Sequence, residues 1–371
     1  MRILIALNHP AHYYLFKFFT AILNDKGHNV IYVIKNKDIL ENLLIRESAP
    51  YIKISEKKKV NSALSIISKG GVELIQRDIR LFNVVRGFKP DIMLGTDISI
   101  THIGKIMGIP SLVFNEDDYD INKIFCKFSY PFATNILAPE YCNVGKYSYK
   151  KIGYNGIQKM AYLNRKYFTP NLSILLQHGI KRNEKYFIIR LVSLTAGHDI
   201  EGKHKGLNKN ILYKIIARLE KFGRIYITSE DKLDNSLEKY KLNVPINEVH
   251  SLMAYASLFI GDSQTMCAEA GILGTPFIRF NDFVGKISYL NDLEKNYRLG
   301  FGVKTNEIEK LFLKIDELTK VKNLKKEWAI RREKLFLDKI DVTAFMVWFV
   351  ENYPASAKIM KENPDYQYNF K

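Results

Sequence analysis

The chain has 371 residues, more than one ordinary compact domain, so two domains are expected. With 47% hydrophobic, 26% charged and 12% aromatic residues it is neither disordered nor fibrous and can fill two cores. Lys and Arg number 56 against 39 acids, net +17, which suits nucleic acid, an anionic membrane surface or phosphorylated substrates; an AT-rich coding sequence enriches Lys, Asn, Ile and Tyr in the same way.

In chain order, Arg2 to Leu7 is a short apolar run, read as a buried strand. His12 to Leu23 has apolar residues at helical spacing and stops at Gly27. Val30 to Ile34 is a second strand, a helix follows from Asp38 to Ile45, and Tyr51 to Ile54 is a third strand. A long basic helix from about Ser62 to Gly87 leads to a strand at Ile92 to Leu94, a helix at Ile98 to Met107 and a strand at Ser111 to Phe114. Such alternation implies right-handed crossovers and a parallel sheet.

A second cycle starts near Lys185. Its strands are Tyr186 to Leu191, Arg224 to Thr228, Ala256 to Ile260 and Pro276 to Phe280, with helices at Asn208 to Lys221 and Thr265 to Leu273. The turn-rich segments Gly153-Tyr154-Asn155-Gly156 and Phe168-Thr169-Pro170-Asn171 flank the join. After Glu307 the pattern is helical; a helix at Ile340 to Tyr353 is expected to pack back on the first domain, with a frayed tail from about Lys361. The expected fold is therefore α/β with two Rossmann-like halves: domains 1–165 and 166–338, and a returning segment 339–371.

The start MRILIALNHP has no leader-type cleavage site, and no stretch approaches the roughly 18 apolar residues of a membrane span. Cys126, Cys142 and Cys267 are too few and too scattered for a disulfide frame or a zinc site. A cytoplasmic, reduced protein is expected, with peripheral contact to the inner face of an anionic membrane as a further association. The segment Lys123 to Phe132 (KIFCKFSYPF) and the basic helix after Ser62 are the candidates for that contact; core packing is the alternative for their aromatics.

Four segments can carry chemistry. Gly261 to Pro276 (GDSQTMCAEAGILGTP) ends a strand in a Gly-Asp-Ser turn and starts a helix at once. A helix N-terminus offers free N–H groups and a positive dipole end to phosphate. Asp262, Ser263, Gln264 and Thr265 line that turn, and Glu269 stands where a carboxylate can take both hydroxyls of a ribose. The bland alternative is an ordinary capped helix with Glu269 in solvent. Asn8-His9-Pro10-Ala11-His12 follows the first strand, and two histidines there can serve as acid or base or hold an anion. Arg190, Ser193, Thr195 and His198 follow the first strand of the second half, and Ser229 and Glu230 follow the next, outlining one rim. Asp97 and Asn115 to Tyr119 are acidic exits in the first half, where a carboxylate can deprotonate an acceptor or simply be solvated. No metal site is expected, since no third ligand adjoins the two histidines. There is no G-x-x-x-x-G-K-[ST] loop and no G-x-G-x-x-G after the first strand, which excludes the usual P-loop and dinucleotide fingerprints.

Met1 to Phe16, Phe88 to Gly95, Tyr154 to Gly156, Ala161 to Leu163, Arg190 to Asp199 and Gly261 to Arg279 together resemble the bacterial and archaeal domain of unknown function numbered 354. That resemblance implies a GT-B type fold: two Rossmann-like domains whose parallel sheets face across a cleft. More distantly, Gly261 to Pro276 is similar to the nucleotide segment of the lipid-linked GlcNAc transferase of peptidoglycan synthesis and of hydrolysing UDP-GlcNAc 2-epimerases. By that likeness Ser263, Gln264 and Thr265 face diphosphate and Glu269 the ribose. Asn8-His9-Pro10 stands where the epimerases carry Gly-Thr-Arg-Pro-Glu.

The expected activity is metal-independent, cofactor-free glycosyl transfer from a nucleotide-sugar, UDP-linked, to a cell-surface glycan or glycolipid. His9, His12 and Asp97 are the expected catalytic residues, and Asn8, Arg190, Ser193, Thr195, His198, Ser229, Glu230, Asp262, Ser263, Gln264, Thr265 and Glu269 the substrate-binding ones. The alternatives are a UDP-sugar 2-epimerase or hydrolase, and a non-catalytic binder of nucleic acid or anionic polymer. Nucleic acid is not the expected partner, because the basic residues are not interleaved with aromatics in a binding motif.

Overall fold

In the computed structural model residues 1–35, 38–55, 65–192, 206–229 and 232–371 are described. They divide into two units, Met1–Tyr162 with Lys339–Lys371, and Leu163–Asp338. The first opens with β1 (Arg2–Leu7), α1 (Pro10–Asp25), β2 (Asn29–Lys35), α2 (Asp38–Arg46) and β3 (Tyr51–Ser55). It continues through α3 (Ser65–Phe88), β4 (Ile92–Gly95), α4 (Ile98–Met107), β5 (Ser111–Phe114), α5 (Lys123–Ser129), β6 (Asn135–Pro139), β7 (Lys151–Tyr154) and the short α6 (Met160–Leu163). Seven parallel strands lie in the order β3-β2-β1-β4-β5-β6-β7. Ile3, Leu4, Ile5, Ala6 and Leu7 are all buried, as a strand covered on both faces requires. Right-handed crossovers put α1 and α2 on one face and α3, α4 and α5 on the other, where α3 packs on α4 and α4 on α5. Gly95 has φ +143, and a Cβ there would stand 2.4 Å from the Ala6 carbonyl oxygen, so β1 and β4 close up only around a glycine.

The second unit holds α7 (Leu172–Gln177), β8 (Tyr186–Leu191), α8 (Lys209–Leu219), β9 (Arg224–Ser229), α9 (Val249–Tyr255), β10 (Leu258–Gly261) and α10 (Gln264–Leu273). It ends with β11 (Phe277–Phe280), α11 (Ser288–Asn291), β12 (Gly300–Val303), α12 (Ile308–Lys320) and α13 (Leu324–Asp338). Its five strands are parallel in the order β12-β11-β10-β8-β9. Two doubly wound parallel sheets are thus the α/β architecture of the GT-B type.

The chain then returns to the first unit as α14 (Val342–Glu351) and α15 (Ala355–Glu362). α14 packs on α1, and the Thr343 hydroxyl donates to the Ala161 carbonyl at 2.8 Å. The tail is not frayed, contrary to expectation. Tyr366 stacks on Trp348 at 4.7 Å, Phe370 lies against Phe345 and Trp348, and the Asp341 N–H donates to the Phe370 carbonyl. Four aromatics bury enough surface to hold a segment that its polar residues alone would leave loose.

Three strands depart from the sequence reading: β6, β7 and β12 carry no expectation, and Gly153-Tyr154 ends strand β7 rather than forming a turn. β7 is an edge strand with a Lys and a Gly in four residues, and the Lys151 ammonium donates to the carbonyls of Glu140 and Cys142. In β12 a Cβ on Gly300 would meet the Phe277 ring at 2.3 Å, so a glycine-rich GFGV run is a strand made for close packing.

Candidate functional site

In the second sheet β8 connects towards β9 and β10 towards β11, so the strand order reverses between β8 and β10. Ligands of open α/β sheets bind at that reversal, outside the carboxyl ends of the strands. Asp262 builds this edge. Its Oδ1 accepts from the Val192 N–H at 2.8 Å, and its carbonyl accepts from the Asn281 side chain at 3.0 Å, tying the exits of β8, β10 and β11 together. Burial pushes the Asp262 carboxyl up, while the Val192 N–H and the Arg190 charge act in the other direction. Gly206 approaches so closely that a Cβ would lie 2.5 Å from Asp262 Oδ2. Asp262 therefore shapes the rim.

The next residue, Ser263, is the N-cap of α10, its hydroxyl accepting from the Met266 N–H at 3.3 Å. Gln264 and Thr265 are half-buried in the first turn, where backbone N–H groups have no helical acceptor. One and a half turns on, Glu269 is not in solvent, as an ordinary capped helix would have it. It is 5% exposed and meets His250 of α9 through Oε1 and Nε2 at 3.2 Å, with the Phe168 ring against the imidazole. His250 had no assignment from the sequence. It lies 19 positions before Glu269, and only the packing of α9 on α10 pairs them.

Arg190 is half-buried near the end of β8, and Ser229 is half-buried at the end of β9. Ser193, Thr195, His198 and Glu230 lie outside the described residues.

The first sheet reverses between β1 and β4, and the histidine turn follows β1. Asn8 spans the reversal: its amide donates to the Thr96 carbonyl and to Asp97 Oδ2, both at 2.8 Å. His9 is the N-cap of α1, its Nδ1 accepting from the Ala11 N–H at 3.1 Å; the His12 Nδ1 accepts from the Asn8 N–H at 3.3 Å. A neutral ring that accepts at Nδ1 carries its proton on Nε2. Asp97 is 1% exposed and caps α4 through the Ser99 N–H at 2.7 Å, with Arg77 at 3.7 Å. The carboxylate thus faces the Asn8 amide, the Ser99 N–H and the Arg77 guanidinium.

The exit of β5 gathers further carboxylates. Glu116 is buried in an ion pair with Lys159 and accepts from the Gln158 N–H at 3.0 Å. Asp118 is buried and accepts from the Asn143 N–H at 2.8 Å. Burial, then the charge of Asp118, pushes the Asp117 carboxyl up to about 6. A carboxyl raised on folding favours the native state below its unfolded value and loses that contribution as pH rises through the folded one. Asp117→Asn should therefore raise Tm by a few degrees at pH 7 and by nothing near pH 3.5, measured by thermal melts across that window. A Tm gain equal at both pH values would contradict the assignment.

Among the described residues no cluster of three or more His, Cys, Asp or Glu could hold a metal ion, and no helix is long and apolar enough to cross a membrane. The three cysteines are free and buried.

No curated protein matches the chain significantly. Among solved structures it is similar to the UDP-GlcNAc 2-epimerase of Neisseria meningitidis bound to UDP-GlcNAc, at 16% identity and TM-score 0.58, covering 91% of this chain and 100% of that one. The UDP-GlcNAc 2-epimerase of Methanocaldococcus jannaschii gives 16% and 0.62 over 91% and 100%. A glycosyltransferase of Streptomyces sp. SF2575 complexed with thymidine diphosphate gives 11% and 0.58 over 95% and 99%. At such identities the likeness is one of fold. Residues 1–338 match the model of the protein family of unknown function DUF354, and the chain belongs to that family.

Proposed function

We propose that the chain is a glycosyltransferase that moves a sugar from a nucleotide-sugar, UDP-linked, to a cell-surface glycan or glycolipid. The observation that carries the reading is the second sheet's reversal point, where a capped helix N-terminus is followed by a carboxylate held by a histidine. In this reading the first turn of α10, with Ser263, Gln264 and Thr265, holds the diphosphate, and Arg190 and Ser229, at the ends of β8 and β9, complete its surroundings. The positive end of the α10 dipole, rather than a metal ion, offsets the charge that grows on the departing diphosphate. Glu269 takes the ribose hydroxyls, with His250 fixing its orientation. The first unit takes the acceptor, His9 or His12 acting as base, and Asn8 and Asp97 setting the turn.

The ligands of the similar structures, UDP-GlcNAc and thymidine diphosphate, support a nucleoside diphosphate over free phosphate. The two epimerases support a second reading, hydrolysing 2-epimerisation, against which stands the Asn8-His9-Pro10 turn. A thermal-shift screen over nucleoside diphosphates and UDP-sugars tests the site, because a ligand present at about 100 times its Kd stabilises the native state by about 2.7 kcal/mol. No shift with any of them removes both readings. Conversion of a UDP-sugar to its 2-epimer without an acceptor selects the second.

A further inference from the structure

We infer that the α3–α4–α5 face of the first unit is a docking surface for an anionic lipid bilayer. The helices of a sheet's outer layer ordinarily show polar residues to solvent. Here Val72, Ile75 and Ile79 of α3, Ile106 of α4, Ile124 and Phe128 of α5, and Phe132 just beyond are all exposed; Ile106 and Ile124 reach 71% and 73%. The Lys123 to Phe132 segment divides in two, since Phe125, Cys126, Ser129 and Tyr130 are core while Ile124, Phe128 and Phe132 point out. The three helices that carry the exposed side chains pack side by side, α3 on α4 and α4 on α5. His102 sits in the seam, bonded to Asp78 of α3 at 2.8 Å and to the Phe128 carbonyl of α5 at 2.9 Å, with the Phe132 ring at 4.9 Å.

The charge around these side chains selects the partner. Arg80, Arg86, Lys105, Lys123 and Lys127 are exposed on the same three helices. The acids of these helices, Glu73 and Asp78, face Lys35 and His102, and Asp120 just before α5 pairs with Lys123 at 2.9 Å, against Arg80, Arg86, Lys105 and Lys127. The surplus is positive, and lysines among isolated apolar side chains let stems lie along hydrocarbon while the ammonium groups reach phosphate. A protein partner would be met by a continuous apolar core with charge at the rim. Here bases and apolar residues alternate across three helices, which matches a fluid surface of acyl chains and anionic headgroups.

The test is co-sedimentation of the full chain with vesicles of phosphatidylcholine alone or mixed with phosphatidylglycerol. Binding is expected only to the anionic vesicles, and to fall when salt rises from about 0.1 M to about 1 M, as the screening length drops from about 10 Å to about 3 Å. Ile124→Glu with Phe128→Glu should weaken it by about tenfold or more, and Lys123→Gln with Lys127→Gln by a similar factor. Leu313→Glu with Leu337→Glu alters equally exposed side chains of the second unit and should leave it unchanged. Glu269→Ala should sediment like the parent, which separates this surface from the donor site. Equal binding to both vesicle types, indifference to the α5 variants in chains with unchanged melting, or capture by DNA in place of vesicles would overturn the proposal.

Discussion

His9→Ala and His12→Ala are expected to lower turnover by about a hundredfold to ten-thousandfold, the range of a positioned acid or base, with donor affinity nearly unchanged. The two rings stand 6.0 Å apart at the reversal point of the first sheet, His9 exposed and His12 half-buried. Each accepts a backbone N–H at Nδ1, so each is also part of the turn. Removing the His9 cap costs about 0.5–2 kcal/mol of stability on its own. His9→Asn separates the two roles, because an Asn side chain restores the cap acceptor but not the imidazole. If His9→Asn recovers turnover, His9 is a cap and nothing more. Near-normal turnover in both alanine variants, with a sugar-transfer assay in hand, removes the histidines from the chemistry and points to Glu116 or Asp117 at the exit of β5.

Glu269→Ala should weaken UDP binding by about tenfold to a hundredfold, the equivalent of losing hydrogen bonds to a charged group worth about 1.5–3 kcal/mol. Pyrophosphate binding should hardly change, because the α10 N-terminus is untouched. The variant also strips His250 of a buried partner at 3.2 Å, so a melting curve must accompany the titration. Glu269→Gln keeps the shape and a hydrogen bond to the imidazole while removing the charge. A sharper comparison uses 2′-deoxy-UDP. The parent protein should prefer UDP, and either variant should lose that preference, which a merely destabilised fold would not do. Equal affinity of parent and variants for UDP, isothermally titrated with the fold intact, takes Glu269 out of the site.

The sequence by itself determined where both sheets' central strands lie along the chain. Apolar runs such as RILIAL and YFIIRL, buried on both faces, have no other stable use than a covered parallel strand, and the intervening 3.6-residue periodicity supplies the covering helices. It also located two polar strand exits, because a polar turn between an apolar run and a capped helix is a local signal, read without knowing any neighbour. The GDS turn before α10 and the NHPAH turn before α1 both lie where that logic puts them.

Tertiary structure alone decided what the side chains at those exits do. Glu269 is buried rather than solvated because α9 brings His250 to it, and Asp97 is an enclosed cap because α3 brings Arg77 to within 3.7 Å. Asp262 and Asn8 each span a reversal of strand order, a relation between elements 70 to 89 positions apart that no local pattern encodes. The same holds for the tail, whose Tyr366 and Phe370 look polar-flanked and loose in sequence yet bury against Trp348 and Phe345. Periodicity reports the surroundings of a residue's own helix or strand. Pairing across elements depends on which of them the sheet order sets side by side, and burial then decides whether a charge must find a partner.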